Sequence, residues 1–222
     1  ASDVYKRQVL TSLGAKERLA LSFRYMKDDP QNNIRVIPPL LRKEVTLHEP
    51  YSGDYIHGYM VNAGFSENVM KWHRQHPGIP LRFFWDKWEE EPVKRVDNTL
   101  SFYQLDDVEF LRQMAGCKAY ASTAGFESVC EAMYLGKPIL MVPAHIEQDC
   151  NAYDAEKSGA GIISSDFNLQ QLLEFAKDYH PNRDFVYWVR GAEYTLLNLL
   201  ESDSSNYQQV LFNEMYLVEE FI

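Results

Sequence analysis

The sequence predicts an α/β fold in which a parallel β-sheet carries helices on both faces. Short apolar runs alternate with segments of helical spacing from about residue 46 to residue 182, which is the pattern of successive strand–helix–strand units. Hydrophobic residues make up 45% of the 222 residues and aromatic residues 14%, a globular composition that can form a sizeable core. These observations indicate a Rossmann-like domain in the larger part of the chain.

Residues 1–45 contain too few elements for a domain of their own. Apolar runs at residues 19–23 and 34–37 predict two strands, and two successive prolines end the second run. Residues 40–54 then read as a linker. We interpret residues 1–45 as the end of an N-terminal domain plus a linker, and we expect the other half of that domain to lie outside this sequence.

The elements expected in the domain of residues 46–182 alternate in order along the chain. Strands are predicted, from their apolar and β-branched runs, at residues 54–61, 80–85, 100–104, 118–123, 138–143 and 161–164. Helices are predicted, from their amphipathic spacing, at residues 66–76, 106–117, 125–136, 146–159 and 169–179. Residues 86–98 are expected to form a polar loop, and residues 183–201 a single amphipathic helix followed by a tail to residue 222.

Charge and cysteine content exclude several classes of function. The net charge of −10, without a concentrated basic patch, argues against nucleic acid as a partner. Cys117, Cys130 and Cys150 lack metal-ligand spacing, so we expect no metal site, and we interpret them as buried, reduced thiols of a cytoplasmic protein. No apolar run approaches the roughly 20 residues of a membrane span.

Two turns lie where a parallel sheet binds ligands, at the point where a strand ends and a helix begins. Residues 62–65 and 122–126 each combine small residues with such a position. The free N–H groups of a helix start favour an anion, and the Thr123 and Ser128 hydroxyls could add donors. Plain helix capping with a turn that glycine permits is the more common explanation for either turn alone, with Ser122 or Thr123 as the cap at the second.

Polar side chains follow the second turn and the next strand. Glu131 lies one helical turn beyond Ser128, where its carboxylate could accept hydrogen bonds from ribose hydroxyls, although a solvated helix glutamate is the more common case. Glu147, Gln148 and Asn151 open the helix after the strand at 138–143 and suit the hydroxyls of a sugar. Glu147 could equally stabilise that helix start through its charge.

The order of these residues resembles the donor signature of the GT-B UDP-glycosyltransferases. Residues 122–152 contain the turn TAGFES, then Glu131, then GKP, an apolar strand that ends in proline, and EQxxNA. This stretch is similar to the family-28-type C-terminal domain, which lipid II synthase and the diacylglycerol glycosyltransferases share in outline. The PPLLR linker and the run FLRQMAGCKAYASTAGF also resemble that subgroup. The resemblance covers about residues 34–200 and implies the C-terminal half of a GT-B fold.

The resemblance implies a UDP-sugar site with defined contacts. Diphosphate contacts are implied for one group of residues, namely Gly64, Thr123, Ala124, Gly125, Phe126 and Ser128. Ribose contacts are implied for Glu131, and contacts to the donor sugar for Glu147 and Gln148, supported by Asn151. The base is implied to lie near Phe102 and Leu105, held largely by the backbone.

Two residues depart from the pattern of the family. Thr123 stands where many relatives have His, and Glu127 stands where Asn is common, which places a carboxylate near the diphosphate. The acceptor pocket and catalytic base of GT-B enzymes belong mainly to the N-terminal half, so no catalytic base is assigned here. Residues 183–222 correspond to the C-terminal crossover helix and tail, and exposure of its Trp188 and Leu196 face would favour a homodimer.

The resulting hypothesis is an inverting, metal-independent glycosyltransferase part that needs no cofactor and takes a UDP-sugar as donor substrate. It would transfer the sugar to a hydroxyl acceptor held by the N-terminal half, with peripheral membrane contact through that half. Three alternatives stay open: a non-catalytic subunit that binds a UDP-sugar and needs a separate acceptor-binding partner, a nucleotide-sugar epimerase, and a non-catalytic remnant in which the motif only stabilises the fold.

Overall fold

The computed structural model describes residues 13–15, 17–87 and 91–201. These residues form two compact units, one from the residues up to Leu40 together with those from Arg183 onward, and one from residues 41–182. In the first unit, β1 (Arg18–Leu21) and β2 (Ile34–Ile37) pair in parallel, with Arg18 opposite Ile34 and Leu21 opposite Ile37. Both strands were predicted from their apolar runs.

The C-terminal part of the first unit contains two helices where the sequence predicted one. These are α6 (Arg183–Arg190) and α7 (Ala192–Glu201), which are separated at Gly191. The prediction of a single helix was wrong because apolar spacing continues across a glycine that interrupts the regular backbone. The expectation that Trp188 is exposed was also wrong: it is buried, and its Nε1–H donates to the Ser22 carbonyl oxygen at 2.9 Å.

The second unit is built on a seven-stranded sheet. Its strands are β3 (Ile56–Met60), β4 (Leu81–Trp85), β5 (Val93–Arg95), β6 (Leu100–Gln104), β7 (Ala119–Ser122), β8 (Ile139–Met141) and β9 (Gly161–Ile163). They lie in the order β5-β6-β4-β3-β7-β8-β9, and every pair is parallel except β5 with β6. The predicted parallel sheet is therefore confirmed, with an antiparallel strand added at one edge.

The edge strand β5 was not predicted. Its residues 93–95 lie within the segment that we expected to be a polar loop, and all three are exposed. An exposed edge strand needs neither an apolar face nor alternation, so its sequence carries no strand signal.

Four helices connect strands of the second unit, and a fifth follows β9. They are α1 (Ser66–Gln75), α2 (Asp107–Gly116), α3 (Phe126–Tyr134), α4 (Ile146–Lys157) and α5 (Leu169–Phe175). Val69 of α1 and Leu172 of α5 pack on one face of the sheet, in a core that includes Phe83 and Leu140. Phe110 of α2 packs on the opposite face, against residues of β3, β4 and β7. Helices on both faces confirm the predicted architecture.

The linker of residues 40–54 contains a short 3-10 helix, Lys43–Leu47. Val45 within it is fully buried and anchors the segment. Arg42 precedes this helix directly and reaches α2 and α3 with its side chain.

Candidate donor-binding site

The turns singled out in the sequence meet at one edge of the sheet. β7 lies between β3 and β8, and Ser122 pairs with Tyr59 on one side and with Met141 on the other. Because parallel strands end at the same edge, the segments that follow β3, β7 and β8 become neighbours there. This is the edge at which open α/β sheets bind ligands.

Thr123 joins the first two turns. Its backbone N–H donates to the Tyr59 carbonyl oxygen at 3.3 Å, and its Oγ1 accepts from the Val61 N–H, also at 3.3 Å. Thr123 is fully buried. In this structure its hydroxyl therefore fixes the end of β3 to the end of β7.

Ala124 has a left-handed backbone, with φ of 60°. The conformation costs an alanine roughly 1–2 kcal/mol. It is held by local contacts: the Ala124 N–H donates to Ser122 Oγ at 3.0 Å, and the Ala124 carbonyl accepts from Asn151 Nδ2 at 3.4 Å. A strained, buried residue retained at a ligand-binding edge is typical of functional turns.

The helix that follows this turn begins without a side-chain cap. Gly125 is the N-cap of α3 and has no side chain that could accept a hydrogen bond from the first-turn amides. The Ser128 hydroxyl donates instead to the Gly125 carbonyl oxygen at 3.3 Å. Phe126 is half-buried, and Glu127 is exposed at the surface of α3. The start of α3 therefore combines first-turn N–H groups that no N-cap side chain engages with a positive dipole end, and together these favour an anion.

Glu131 is the principal buried acid of the edge and is paired with Arg42. The Arg42 Nε and Nη2 atoms donate to Glu131 Oε1 and Oε2 at 2.6 and 2.9 Å. Arg42 Nη1 also contacts Asp107 Oδ1, at 3.1 Å. Burial raises the pKa of Glu131, and the hydrogen bonds and charge of Arg42 oppose that rise.

The polar residues at the start of α4 separate into two environments. Glu147 is exposed, whereas Gln148 is buried and its Oε1 accepts from the Ala144 N–H at 2.8 Å. Asn151 contacts the Ala124 carbonyl, as described above. The start of α4 is thus fixed to the turn before α3 by one amide side chain, and to its own preceding loop by another.

The remaining predicted residues lie around the same edge. Gly64 is exposed, and its N–H donates to Asn62 Oδ1 at 2.8 Å in the turn after β3. Phe102 is buried in the sheet core and stacks on Trp85, with ring centroids 4.5 Å apart. Leu105 follows the carboxyl end of β6 and is exposed. At this position Phe102 can offer a ligand only its backbone.

Sequence reasoning missed two residues of the site. Arg42 lies 89 residues before Glu131, in a segment interpreted only as a linker, and no spacing rule connects the two. The left-handed conformation of Ala124 was also unforeseen, because alanine carries no sequence signal for positive φ. The run of small residues around it was the available signal, and it was interpreted as a permissive turn.

One of the three cysteines lies in a different environment from the one predicted. Cys117 and Cys130 are buried, as expected, but Cys150 on the outer surface of α4 is exposed, which corrects the expectation of three buried thiols. Across residues 13–15, 17–87 and 91–201, no group of three or more His, Cys, Asp or Glu side chains is arranged to hold a metal ion. Among those residues, no helix is long and apolar enough to cross a membrane.

Solved structures with the same fold are glycosyltransferases. The calicheamicin glycosyltransferase CalG4 aligns with a TM-score of 0.53 and 14% identity, over 100% of this chain and 61% of its own. The glycotransferase of kitacinnamycin aligns with a TM-score of 0.52 and 13% identity, over 74% and 46%. At these identities the likeness is one of fold, and it agrees with the GT-B fold implied by the sequence.

Sequence comparison identifies relatives of the same kind. The "Putative UDP-glucuronosyltransferase ugt-48" of Caenorhabditis elegans is 26% identical over 105 residues, which are 46% of this chain and 20% of the nematode protein. The chain thus spans only part of the length of the relatives it matches. A family model described as glycosyl transferase family 1 matches residues 10–179, well over half of the sequence. The chain therefore belongs to glycosyl transferase family 1.

Proposed function

We propose that this chain is the donor-binding part of a glycosyltransferase that transfers a sugar from a UDP-sugar to a hydroxyl acceptor. The observation that carries the proposal is the turn from Ser122 to Gly125. It holds a strained alanine in the left-handed conformation and opens α3 without a side-chain cap, at the carboxyl edge of the sheet. The turn lies within the residues matched by the family model.

The diphosphate is assigned to the start of α3. The first turn of α3, whose N–H groups no N-cap side chain engages, and the positive end of the helix dipole supply donors and charge. The Ser128 hydroxyl can rotate from the Gly125 carbonyl towards an oxyanion. Thr123 contributes by fixing the turn, since its N–H donates to the Tyr59 carbonyl oxygen and its Oγ1 accepts from the Val61 N–H. Gly64 lies in the neighbouring turn, where the absence of a side chain lets the diphosphate approach the chain closely. Glu127 is exposed, which is compatible with an anion at the helix start.

The other parts of the donor are assigned around this anchor. We assign the contact with the ribose hydroxyls to Glu131 and the contact with the base to the backbone near Phe102 and Leu105. The donor sugar belongs to Glu147 and Gln148 at the start of α4. Asn151 acts on this corner through the Ala124 carbonyl, which it holds at 3.4 Å.

The proposed chemistry is inverting displacement at the anomeric carbon without a metal ion or cofactor. The bond from that carbon to the diphosphate oxygen breaks as the acceptor oxygen attacks, so negative charge develops on the leaving diphosphate. Preorganised N–H donors and a helix dipole stabilise such charge. The acceptor hydroxyl and the base that takes its proton are assigned to an acceptor-binding half or partner subunit, which could also contact a membrane.

A closer relationship to the family-28-type enzymes is part of the proposal. It is supported by the PPLLR linker and by the run FLRQMAGCKAYASTAGF. The Arg42–Glu131 pair adds to this argument, because it gives the arginine of that linker a place at the donor edge.

Calorimetric titration tests the proposal. We expect UDP to bind the 222-residue chain more tightly than dTDP or GDP, and one of UDP-glucose, UDP-galactose and UDP-N-acetylglucosamine to gain affinity from its sugar. Ser128→Ala should weaken UDP by about tenfold, since it removes a hydrogen bond to a charged group worth about 1.5 kcal/mol. Ser158→Ala, at the far end of α4, is the matched control and should leave the affinity unchanged. Equal affinity for all three nucleoside diphosphates would contradict the assignment of uridine.

A further inference from the structure

The side chain of Arg42 occupies the place that the proposed function gives to the ribose. Two parallel N–H donors reach the two oxygens of Glu131, at 2.6 and 2.9 Å. A ribose offers a carboxylate the same arrangement, because its two vicinal hydroxyls are adjacent O–H donors. The guanidinium of Arg42 and the cis-diol of a ribose can therefore each donate two hydrogen bonds to the carboxylate of Glu131.

The two partners exclude each other on this carboxylate. Glu131 is only 2% exposed with Arg42 in place. Ribose hydroxyls can therefore reach its oxygens only when the guanidinium has moved away. A buried carboxylate without a partner is costly, so one donor pair has to replace the other.

The surroundings of Arg42 allow it to move without disturbing the fold. Its side chain is 35% exposed, and its third contact, Asp107, is 79% exposed. After leaving Glu131 the guanidinium can keep Asp107 as a partner in contact with solvent. Val45, fully buried three residues later, holds the backbone of the segment, so the change is confined to the side chain.

We propose that Arg42 is an internal substitute for the ribose: it satisfies Glu131 in the empty site and is displaced when the nucleotide binds. This inference rests on the proposed function, since it requires a ribose at Glu131. Arg42 therefore weakens UDP binding, whereas a residue that contacts the ligand favourably would strengthen it. Arg42 thus sets how tightly the donor is held.

The first test is calorimetric titration of UDP into wild-type protein and Arg42→Met at pH 8, which favours the ionised form of Glu131. Arg42→Met should bind UDP at least about tenfold more tightly, a difference of about 1.4 kcal/mol. A uridine diphosphate whose ribose lacks both the 2′ and 3′ hydroxyls should show no such gain. Arg112→Met removes a similar Arg–Glu pair from the surface of α2, where Arg112 contacts Glu109 at 2.7 Å, and should leave both affinities unchanged.

A second variant keeps the inference testable if Arg42→Met does not fold. Arg42→Lys keeps the positive charge but cannot donate in two-point fashion, so it should also tighten UDP, by a smaller factor. Unchanged or weaker UDP binding by a folded Arg42 variant overturns the inference, and so does an equal gain for the ligand without ribose hydroxyls. Failure of UDP to bind wild type and both variants would instead remove the proposed function on which the inference rests.

Discussion

Ala124 is the residue whose backbone conformation differs most from what its side chain favours. Its φ of 60° places a methyl group in the left-handed region, in a turn held by Ser122 and Asn151. Such strain is retained when the surrounding contacts determine the conformation and a function uses it. Here the strained peptide directs the chain into the uncapped start of α3.

Replacing Ala124 by glycine tests this strain. Ala124→Gly should leave the free energy of unfolding unchanged or raise it by up to about 1 kcal/mol, because relief of strain slightly exceeds the added entropy of the unfolded chain. Ala132→Gly, at a buried position inside α3, is the control and should lower it by about 1 kcal/mol. Urea unfolding of the two variants measures both effects. Equal destabilisation by the two substitutions would contradict the assignment of strain to Ala124.

His57 provides a pH-dependent contribution to stability. It is fully buried among Phe84, Phe110 and Tyr120, and neither ring nitrogen has a hydrogen-bond partner among the described residues. Burial, with a smaller contribution from the Arg82 charge, lowers the pKa of His57 to about 3. The charged groups around it also include Glu109, which opposes the shift, and Lys137, which adds to it.

The sign of the pH effect follows from this lowered pKa. In the unfolded chain His57 takes up a proton as the pH falls below about 6.5, whereas in the folded protein it stays neutral down to pH about 3. The stabilising contribution of neutral, buried His57 is therefore fully present above pH 6.5. As the pH falls from 7 to 5, loss of this contribution lowers the free energy of unfolding by about 2 kcal/mol. Urea unfolding at these two pH values should show a smaller loss for His57→Leu than for wild type. Identical losses would contradict this account.

At the scale of elements, sequence patterns predicted the strands and helices of residues 56–175 closely. Burial produces these patterns: β3 and β7 are buried on both faces and read as apolar runs, and α1 and α2 are buried on one face and show amphipathic spacing. The predictions failed where a strand has no buried face and where an apolar stripe continues across the end of a helix. β5 is exposed throughout, and the break between α6 and α7 depends on one glycine within a continuous apolar stripe.

The break at Gly191 yields a prediction about stability. A methyl group added at Gly191 would meet only Thr195 Oγ1, at 3.9 Å. Gly191→Ala should therefore raise the free energy of unfolding by about 0.5–1 kcal/mol, by restricting the unfolded chain and favouring helix. At Gly136, by contrast, φ is +66° and an added Cβ would lie 3.1 Å from Pro181, so Gly136→Ala should destabilise. Thermal unfolding followed by circular dichroism measures the stability of both variants. Destabilisation by Gly191→Ala would contradict the account.

At the scale of the whole molecule, the sequence predicted which segments meet at one edge of the sheet better than it predicted the contacts made there. Thr123, Ser128, Glu131 and Asn151 come from separate turns and helix starts, and the parallel order of β3, β7 and β8 brings these segments to one edge. What could not be foreseen is which polar atoms already have partners. Glu131 binds Arg42 and Thr123 binds Val61, and such contacts depend on three-dimensional packing that no linear spacing encodes.

Hydrogen–deuterium exchange with and without UDP is the measurement that tests the central claim most directly, because it locates the ligand as well as detecting it. The account predicts increased protection in two segments, residues 122–131 and residues 144–151, with little change in β9 or α5, which supply no residue to the proposed site. The same protection should be much reduced in Glu131→Ala at equal UDP concentration. Protection at the opposite edge of the sheet, or none at a UDP concentration that saturates binding, would contradict a donor site at this edge.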